Sequence, residues 1–168
     1  KQWMGPGQAA SKWLDTLDAP LNKEISAELP KELLQAARAS YYGGRFETFV
    51  HGHVPGITWE YDINSAYPDI MQSLPHITRG EWKHAKFNTP KRTIPEIPKG
   101  GLVLCYGTFG HNPKSKDDVL FGGLPCRDDK GRICYPKTTE GWYWAHEIQG
   151  AEYCDAMEYI RIMEIWIF

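Results

Sequence analysis

Residues 57–68 read Ile57-Thr58-Trp59-Glu60-Tyr61-Asp62-Ile63-Asn64-Ser65-Ala66-Tyr67-Pro68. The first seven alternate and are rich in β-branched and aromatic types, which predicts a strand. The pattern then changes. Ser65 suits the cap of a short helix over about 66–74, and Pro68 falls in its first turn, where a missing N–H costs nothing. Asp62 is thereby placed at a strand end, directly before a helix N-terminus. Such a carboxylate can hold a divalent cation. The free N–H groups of the first turn, near Ala66 and Tyr67, can receive a triphosphate. Mg²⁺ normally takes one or two carboxylates plus substrate phosphate oxygens. A polar strand terminus followed by a capped turn would show the same residues, so the segment by itself leaves both readings open.

Upstream, residues 8–17 put Ala9, Ala10, Trp13, Leu14 and Leu17 on one helical stripe, and Pro20 ends it. A second helix starts near Pro30, carries Leu33, Leu34, Ala36, Ala37 and Ala39, and stops at Gly43-Gly44. Downstream, strands are expected at 82–87, 101–109, 141–144 and 157–168, a hairpin from 124–127 and 132–135, and a short helix at 145–154. Three prolines at 90, 95 and 98 predict an irregular connection after residue 87. Strands joined both by hairpins and by helices make the class α+β, with a mixed or antiparallel sheet and flanking helices. No internal repeat or low-complexity tract is present.

The chain has 168 residues, enough for a domain with a real core, and 42% of them are apolar, which excludes a disordered segment. No apolar run approaches the roughly 18 residues that span a bilayer, so no membrane role is expected. A net charge of −2 neither suggests nor excludes nucleic acid. Locally, residues 76–100 carry Arg79, Lys83, Lys86, Lys91, Arg92 and Lys99 against Glu81 and Glu96. That strip can follow phosphates or form an ordinary solvated face. The four cysteines, at 105, 126, 134 and 154, form no C-x-x-C pair, so free thiols in a reducing cytoplasm are expected.

Tyr41-Tyr42-Gly43-Gly44-Arg45 lies a short distance before the aspartate segment. Two glycines allow positive φ or close approach of the backbone to DNA, Tyr41 offers a flat face, and Arg45 offers charge to a phosphate. A helix stop would also use them. Together, this Y-x-G-G run and the D-x-x-S-x-Y-P run of Asp62, Ser65, Tyr67 and Pro68 resemble two motifs of the family B DNA polymerases, in the family's order and spacing. Residues 123–125, 135–136 and 141–144 resemble, more weakly, the following region of protein-primed and related viral members. The resemblance implies part of a palm domain. Residues 1–44 would be a helical lead-in with the Y-x-G-G linker, and 45–168 a partial palm with an insertion-like region at about 75–121.

The resemblance also implies roles. Asp62, with the Ile63 carbonyl, would hold Mg²⁺ or Mn²⁺. Ser65, Ala66 and Tyr67 would bind the dNTP. Tyr41, Gly43, Gly44 and Arg45 would contact the primer-template. The family's later K-x-x-x-N-S-x-Y-G and D-T-D motifs are absent from the sequence. Two readings follow: a DNA polymerase segment in the host-cell cytoplasm that supplies the first catalytic aspartate, or a non-catalytic DNA-binding or partner-assembly module, one chain of a split polymerase. A terminal protein primer or a second polymerase chain is the implied partner. A start at Lys1 and an end in an apolar strand at Phe168 suggest an excised piece.

Other features read plainly. His51 and His53 suit a polar loop. Asp117-Asp118 suits a loop and Asp128-Asp129 a turn. Trp142 and Trp144 suit core packing, with base stacking as the alternative. Two expectations can be tested. With Gly131 left-handed, the hairpin register sets Cys126 opposite Cys134, with Cα atoms inside the limit of about 7 Å for bridging. In the complete polymerase, Tyr67 packed beneath the sugar would exclude a 2′-hydroxyl. Tyr67→Ala or Tyr67→Val should therefore raise ribonucleotide incorporation in a dNTP/rNTP competition assay, and selectivity equal to the parent's would remove that role.

Overall fold

The computed structural model describes residues 6–17, 22–44, 51–77, 79–111 and 123–168. Its organising element is the strand Val103–His111. Val103, Leu104 and Cys105 point to alternate faces, yet all three are fully buried. A strand that is apolar on both faces has to lie inside a sheet and be covered on both sides. Numbered in chain order, the helices are α1 (Pro6–Thr16), α2 (Asn22–Glu28), α3 (Lys31–Ala39), α4 (Ala66–Ser73) and α5 (Ala145–Tyr153). The strands are β1 (Lys83–Lys91), β2 (Val103–His111), β3 (Cys126–Arg127), β4 (Ile133–Cys134), β5 (Thr138–Trp144) and β6 (Met157–Ile167). The main sheet runs β1-β6-β2-β5 with every neighbour antiparallel, and β3-β4 forms a separate hairpin. The fold is α+β.

Each face of the sheet has its own cover. On one, Ala145, Ile148 and Ala151 of α5 recur every third residue and meet Val103, Cys105, Phe109, Tyr143, Ile160 and Ile162. On the other, Leu33 and Ala36 of α3 meet Leu104 and Trp166, with Trp142 and Trp144 alongside. Burying a side chain such as Ile162 or Leu104 contributes roughly 1.5–3 kcal/mol. The expectation that Trp142 and Trp144 belong to the core holds.

The isoleucines of β6 stand at 160, 162, 165 and 167, a spacing that strict alternation would split between the two faces. The ladder resolves the conflict. Tyr106 pairs with Glu164 while the next residue, Gly107, pairs with Ile162, so β6 carries an extra residue there. That bulge returns Ile162 and Ile165 to one core. The backbones approach closely at this point: a Cβ on Gly107 would lie 2.3 Å from the Arg161 carbonyl oxygen.

The hairpin has the expected register, Cys126 opposite Cys134 and Arg127 opposite Ile133. Gly131 has φ +76°, and the Asp128 amide donates to the Arg132 carbonyl at 2.9 Å. The Asp128 carboxylate accepts from the Lys130 amide, the Arg132 amide and Arg132 Nε. These bonds, chiefly those from Arg132, hold its pKa below the usual range. The turn reading of Asp128-Asp129 therefore stands, while Asp117-Asp118 lies outside the described residues.

Two expectations are corrected. Residues 57–63 form no strand and no other regular element, with Ile57, Trp59, Tyr61 and Ile63 exposed. Alternation marks a chain able to pair, but a strand needs a partner ladder, and none of the described residues supplies one. Helix α2 lies between the two helices read from the sequence, with Glu24 in its first turn complementing the helix dipole. Strand β1 runs through Pro90 to Lys91, because it is the outer strand of the sheet and its register shifts between Lys86 and Lys91, where a missing N–H is tolerated. The helical stripe of α1 is present, with Trp13, Leu14 and Leu17 exposed.

Gly107→Ala should lower the unfolding free energy by about 1–3 kcal/mol, the usual cost of overpacking. Urea titration followed by tryptophan fluorescence checks this. An unchanged midpoint would mean that β6 moves aside freely.

Candidate functional site

The main sheet builds one turn of the site. Strand β5 ends at Trp144 and α5 begins at once. The Trp144 amide donates to Glu147 Oε2 at 2.9 Å, so the first turn of α5 is closed by its own third residue. Behind the turn, Tyr143 is fully buried and donates from its hydroxyl to the Pro125 carbonyl. Burial pushes its phenol pKa well above the ordinary value. Tyr42 stacks on this fixed ring, with centroids 5.5 Å apart and planes 17° apart.

Tyr42 is the variable residue of Y-x-G-G, so the stack anchors the motif to the sheet. The β3-β4 hairpin adds a second anchor. Arg127 donates to the Tyr41 carbonyl at 3.3 Å and to the Gly131 carbonyl at 3.1 Å, and its guanidinium carbon lies 5.9 Å from the centre of the Tyr42 ring. Held this way, Tyr41 itself is 74% exposed, and Gly43 has φ +82°, a backbone state that glycine adopts without strain. Gly44 follows on the surface. Arg45 lies outside the described residues.

The aspartate segment arrives from the other side. Asn64 and Ser65 form a turn into α4, and Ser65 has φ 56° and ψ 30°, in the left-handed region. The Ser65 carbonyl starts the helix by accepting the Asp69 amide at 3.0 Å. Its hydroxyl makes no capping bond, which corrects the expected side-chain cap. Side-chain capping needs an extended backbone at this position, and Pro68, third in the helix, has no N–H to offer. A left-handed non-glycine residue costs of order 1–3 kcal/mol and is a recurrent feature of ligand-binding turns.

The two motifs meet in a cleft of about 350 Å³ lined by Ala37, Ser40, Tyr41, Tyr42, Gly43, Gly44, Tyr67, Trp144 and Glu147. Tyr67 is 82% exposed at its wall, and Ala66 beside it is half-buried. Asp62 and Ile63 are exposed on the irregular chain before the turn and do not line the cleft. Of the residues named from sequence, the structure thus brings Tyr41, Gly43, Gly44 and Tyr67 together and leaves Asp62, Ile63, Ser65 and Ala66 outside. Glu147, Arg127, Tyr42 and Tyr143 are the site residues that sequence reasoning missed. Glu147 reads as a common first-turn acid, and the others reach the motif only through long-range contacts.

Among the described residues no group of three or more His, Cys, Asp or Glu side chains could hold a metal ion. His51 and His53 are exposed loop residues. Half of the basic strip, Lys83, Lys86 and Lys91, is carried by β1, the outer strand. Lys86 pairs with Glu164 at 3.3 Å, and His84 contacts the same carboxylate at 2.7 Å. Lysines on an open edge also deter strand-to-strand association. The four cysteines are free thiols. Among the described residues no helix is long and apolar enough to cross a membrane.

A family model described as DNA polymerase type B, organellar and viral, matches residues 7–162. The chain belongs to this family. No curated protein and no solved structure matches it. A type B DNA polymerase binds DNA and deoxynucleoside triphosphates and uses divalent metal ions. In this type B polymerase chain the match covers both motifs and every strand up to the middle of β6.

Glu147 gives a pH test of the cleft wall. The residue is exposed overall, but its carboxyl lies against the α5 turn, and the loss of water there raises its pKa from 4.5, with the Trp144 amide pulling the other way. The folded chain therefore holds this proton more tightly than the unfolded chain. The stability so gained is full below pH 4.5 and is lost as pH rises through the folded value. The urea midpoint of the parent should fall relative to that of Glu147→Gln as pH rises across this window. Parallel profiles would show a carboxyl at its ordinary value.

Proposed function

We propose that this chain supplies the first metal-binding carboxylate, Asp62, and part of the nucleotide and DNA contacts of a type B DNA polymerase. Residues 45–168 would be a partial palm with an insertion-like stretch at about 75–121, and 1–44 its helical lead-in. The observation that carries the reading is the convergence of Tyr67 with Tyr41, Gly43 and Gly44 on one cleft. The reaction is nucleotidyl transfer, in which a primer 3′-hydroxyl displaces pyrophosphate from a dNTP.

Asp62 and the Ile63 carbonyl offer hard oxygen donors, the chemistry that suits Mg²⁺ or Mn²⁺. Bound there, the ion would neutralise charge on the phosphates and orient them. The chain's own residues have separate tasks. The Ala66 and Tyr67 amides, left uncapped by Ser65, can donate to triphosphate oxygens. Ser65 adds a hydroxyl at the same turn. Tyr67 supplies a ring beneath the sugar. Tyr41, the Gly43-Gly44 backbone and Arg45 take the template or primer.

One carboxylate is half of a two-metal set. The second carboxylate and the triphosphate lysine would come from a further segment or a second chain, and a terminal protein is the other expected partner. The lack of a three-ligand cluster among the described residues also suits the non-catalytic reading, in which the chain binds DNA or assembles a split polymerase.

Labelled-primer extension with Mg²⁺ or Mn²⁺ tests the proposal. The 168-residue chain alone should give no product. Supplying the missing motifs in cis or as a second chain should restore extension, and Asp62→Ala should return it to the level without enzyme. Extension by the isolated chain that Asp62→Ala abolishes would reveal a second carboxylate within these residues. Restored extension indifferent to Asp62→Ala would remove Asp62 from the site.

A further inference from the structure

The β3-β4 hairpin holds a feature that nucleotide chemistry does not use. Cys126 and Cys134 are directly paired across it, and their sulfurs are 3.2 Å apart. Both residues are half-buried, so the pair is reachable from solvent. Cys105 is buried, and Cys154 is exposed on a different element, at the end of α5. The turn between the paired cysteines is braced by the Asp128 carboxylate and by the Arg132–Asp128 ion pair at 2.7 Å. A braced turn holds the sulfurs in register with no need for the chain to search.

We propose that Cys126 and Cys134 form a reversible disulfide site, oxidised by small-molecule disulfides, that clips the hairpin carrying the Arg127 clamp. Closing the bond brings the sulfurs nearer by only about 1.2 Å, from 3.2 Å to the usual S–S length of 2.03–2.05 Å. The pairing of Cys126 with Cys134 in the ladder is kept, since facing residues of a hairpin are within bridging reach.

The chemistry balances as two exchanges. The thiolate of one cysteine attacks one sulfur of the small disulfide, whose S–S bond breaks and releases one thiolate. The facing cysteine, 3.2 Å away before reaction, then gives up its proton and attacks the sulfur of the mixed disulfide that belongs to the first cysteine, expelling the second small thiolate. Two protein thiols are oxidised, and one small disulfide is reduced to two thiols.

The consequence is local. Arg127 directly follows Cys126 and reaches both the Gly131 and Tyr41 carbonyls. A clipped hairpin limits how far Arg127 can leave the Y-x-G-G segment. This holds whether or not that segment contacts DNA, so the site stands independently of the polymerase reading.

Glutathione disulfide is the probe, applied to the purified chain carrying Cys154→Ser, which removes the exposed competitor. With four cysteines less one, three thiols start free and one should remain. The intact mass should fall by two hydrogen atoms, with no glutathione retained, and dithiothreitol should reverse the change. A tryptic map without reductant should show the Cys126 and Cys134 peptides joined, since cleavage at Arg127, Lys130 and Arg132 separates them. Cys126→Ser and Cys134→Ser should each retain one glutathione instead. Thiols that stay unreacted, stable glutathione adducts on both cysteines, or disulfide-linked dimers would each overturn the proposal. The map on the parent hairpin decides the matter even if a serine variant fails to fold.

Discussion

The close approach of β2 to β6 at Gly107 is the constraint on which the rest of the structure depends. With no side chain at this position, the Arg161 carbonyl can come within a distance that no Cβ would allow. The extra residue that β6 carries there lets isoleucines of mixed spacing share one face. Without the bulge, either Ile162 or Ile165 would turn out of the core, because a slip of one residue exchanges the faces of a strand. The buried centre of the sheet is therefore set by a missing methyl group as much as by the apolar residues around it.

The positions of the motif residues follow from that centre. Strand β5 lies against β2, and the register places Tyr143 opposite Cys105 inside the core. Tyr143 is thus a fixed ring on which Tyr42 can stack, and the Y-x-G-G segment inherits the rigidity of the sheet. The hairpin contributes Arg127 from a third direction. The aspartate segment has no such support. Asp62 stands on an irregular segment whose apolar side chains are exposed, and Ser65 holds a left-handed backbone just beyond it. The Y-x-G-G segment is held by packing on the sheet, while the aspartate segment enters its helix through a single turn.

Charge is arranged to match. The outer strand β1 carries exposed lysines, and Glu164 on its neighbour meets both Lys86 and His84. These are pairs at or near the surface, worth at most about 1 kcal/mol each, so they add little to stability. Their effect is on the character of the edge, which remains basic and resists pairing with another strand.

Much of this was legible in the sequence. The Y-x-G-G and D-x-x-S-x-Y-P runs indicated the family, and periodicity located α3, β2, α5 and β6 to within a few residues. The cysteine register was legible too, because a turn with Gly131 left-handed counts residues the same way in any context. Such features depend on neighbours in the chain. What sequence could not supply depends on distant ones. Alternation at 57–63 promised a strand, but a ladder requires a partner that none of the described residues provides. Ser65 had the right side chain for a cap and the wrong backbone. Glu147, Arg127 and Tyr42 carry no local mark of their roles, since each acts through a residue at least one element away or through a cleft wall that only the folded sheet creates. The sequence by itself determined the elements and the chemical types available to the site; which of those groups face one another was decided by tertiary packing, because side-chain proximity across a sheet depends on register and bulges that no local pattern encodes.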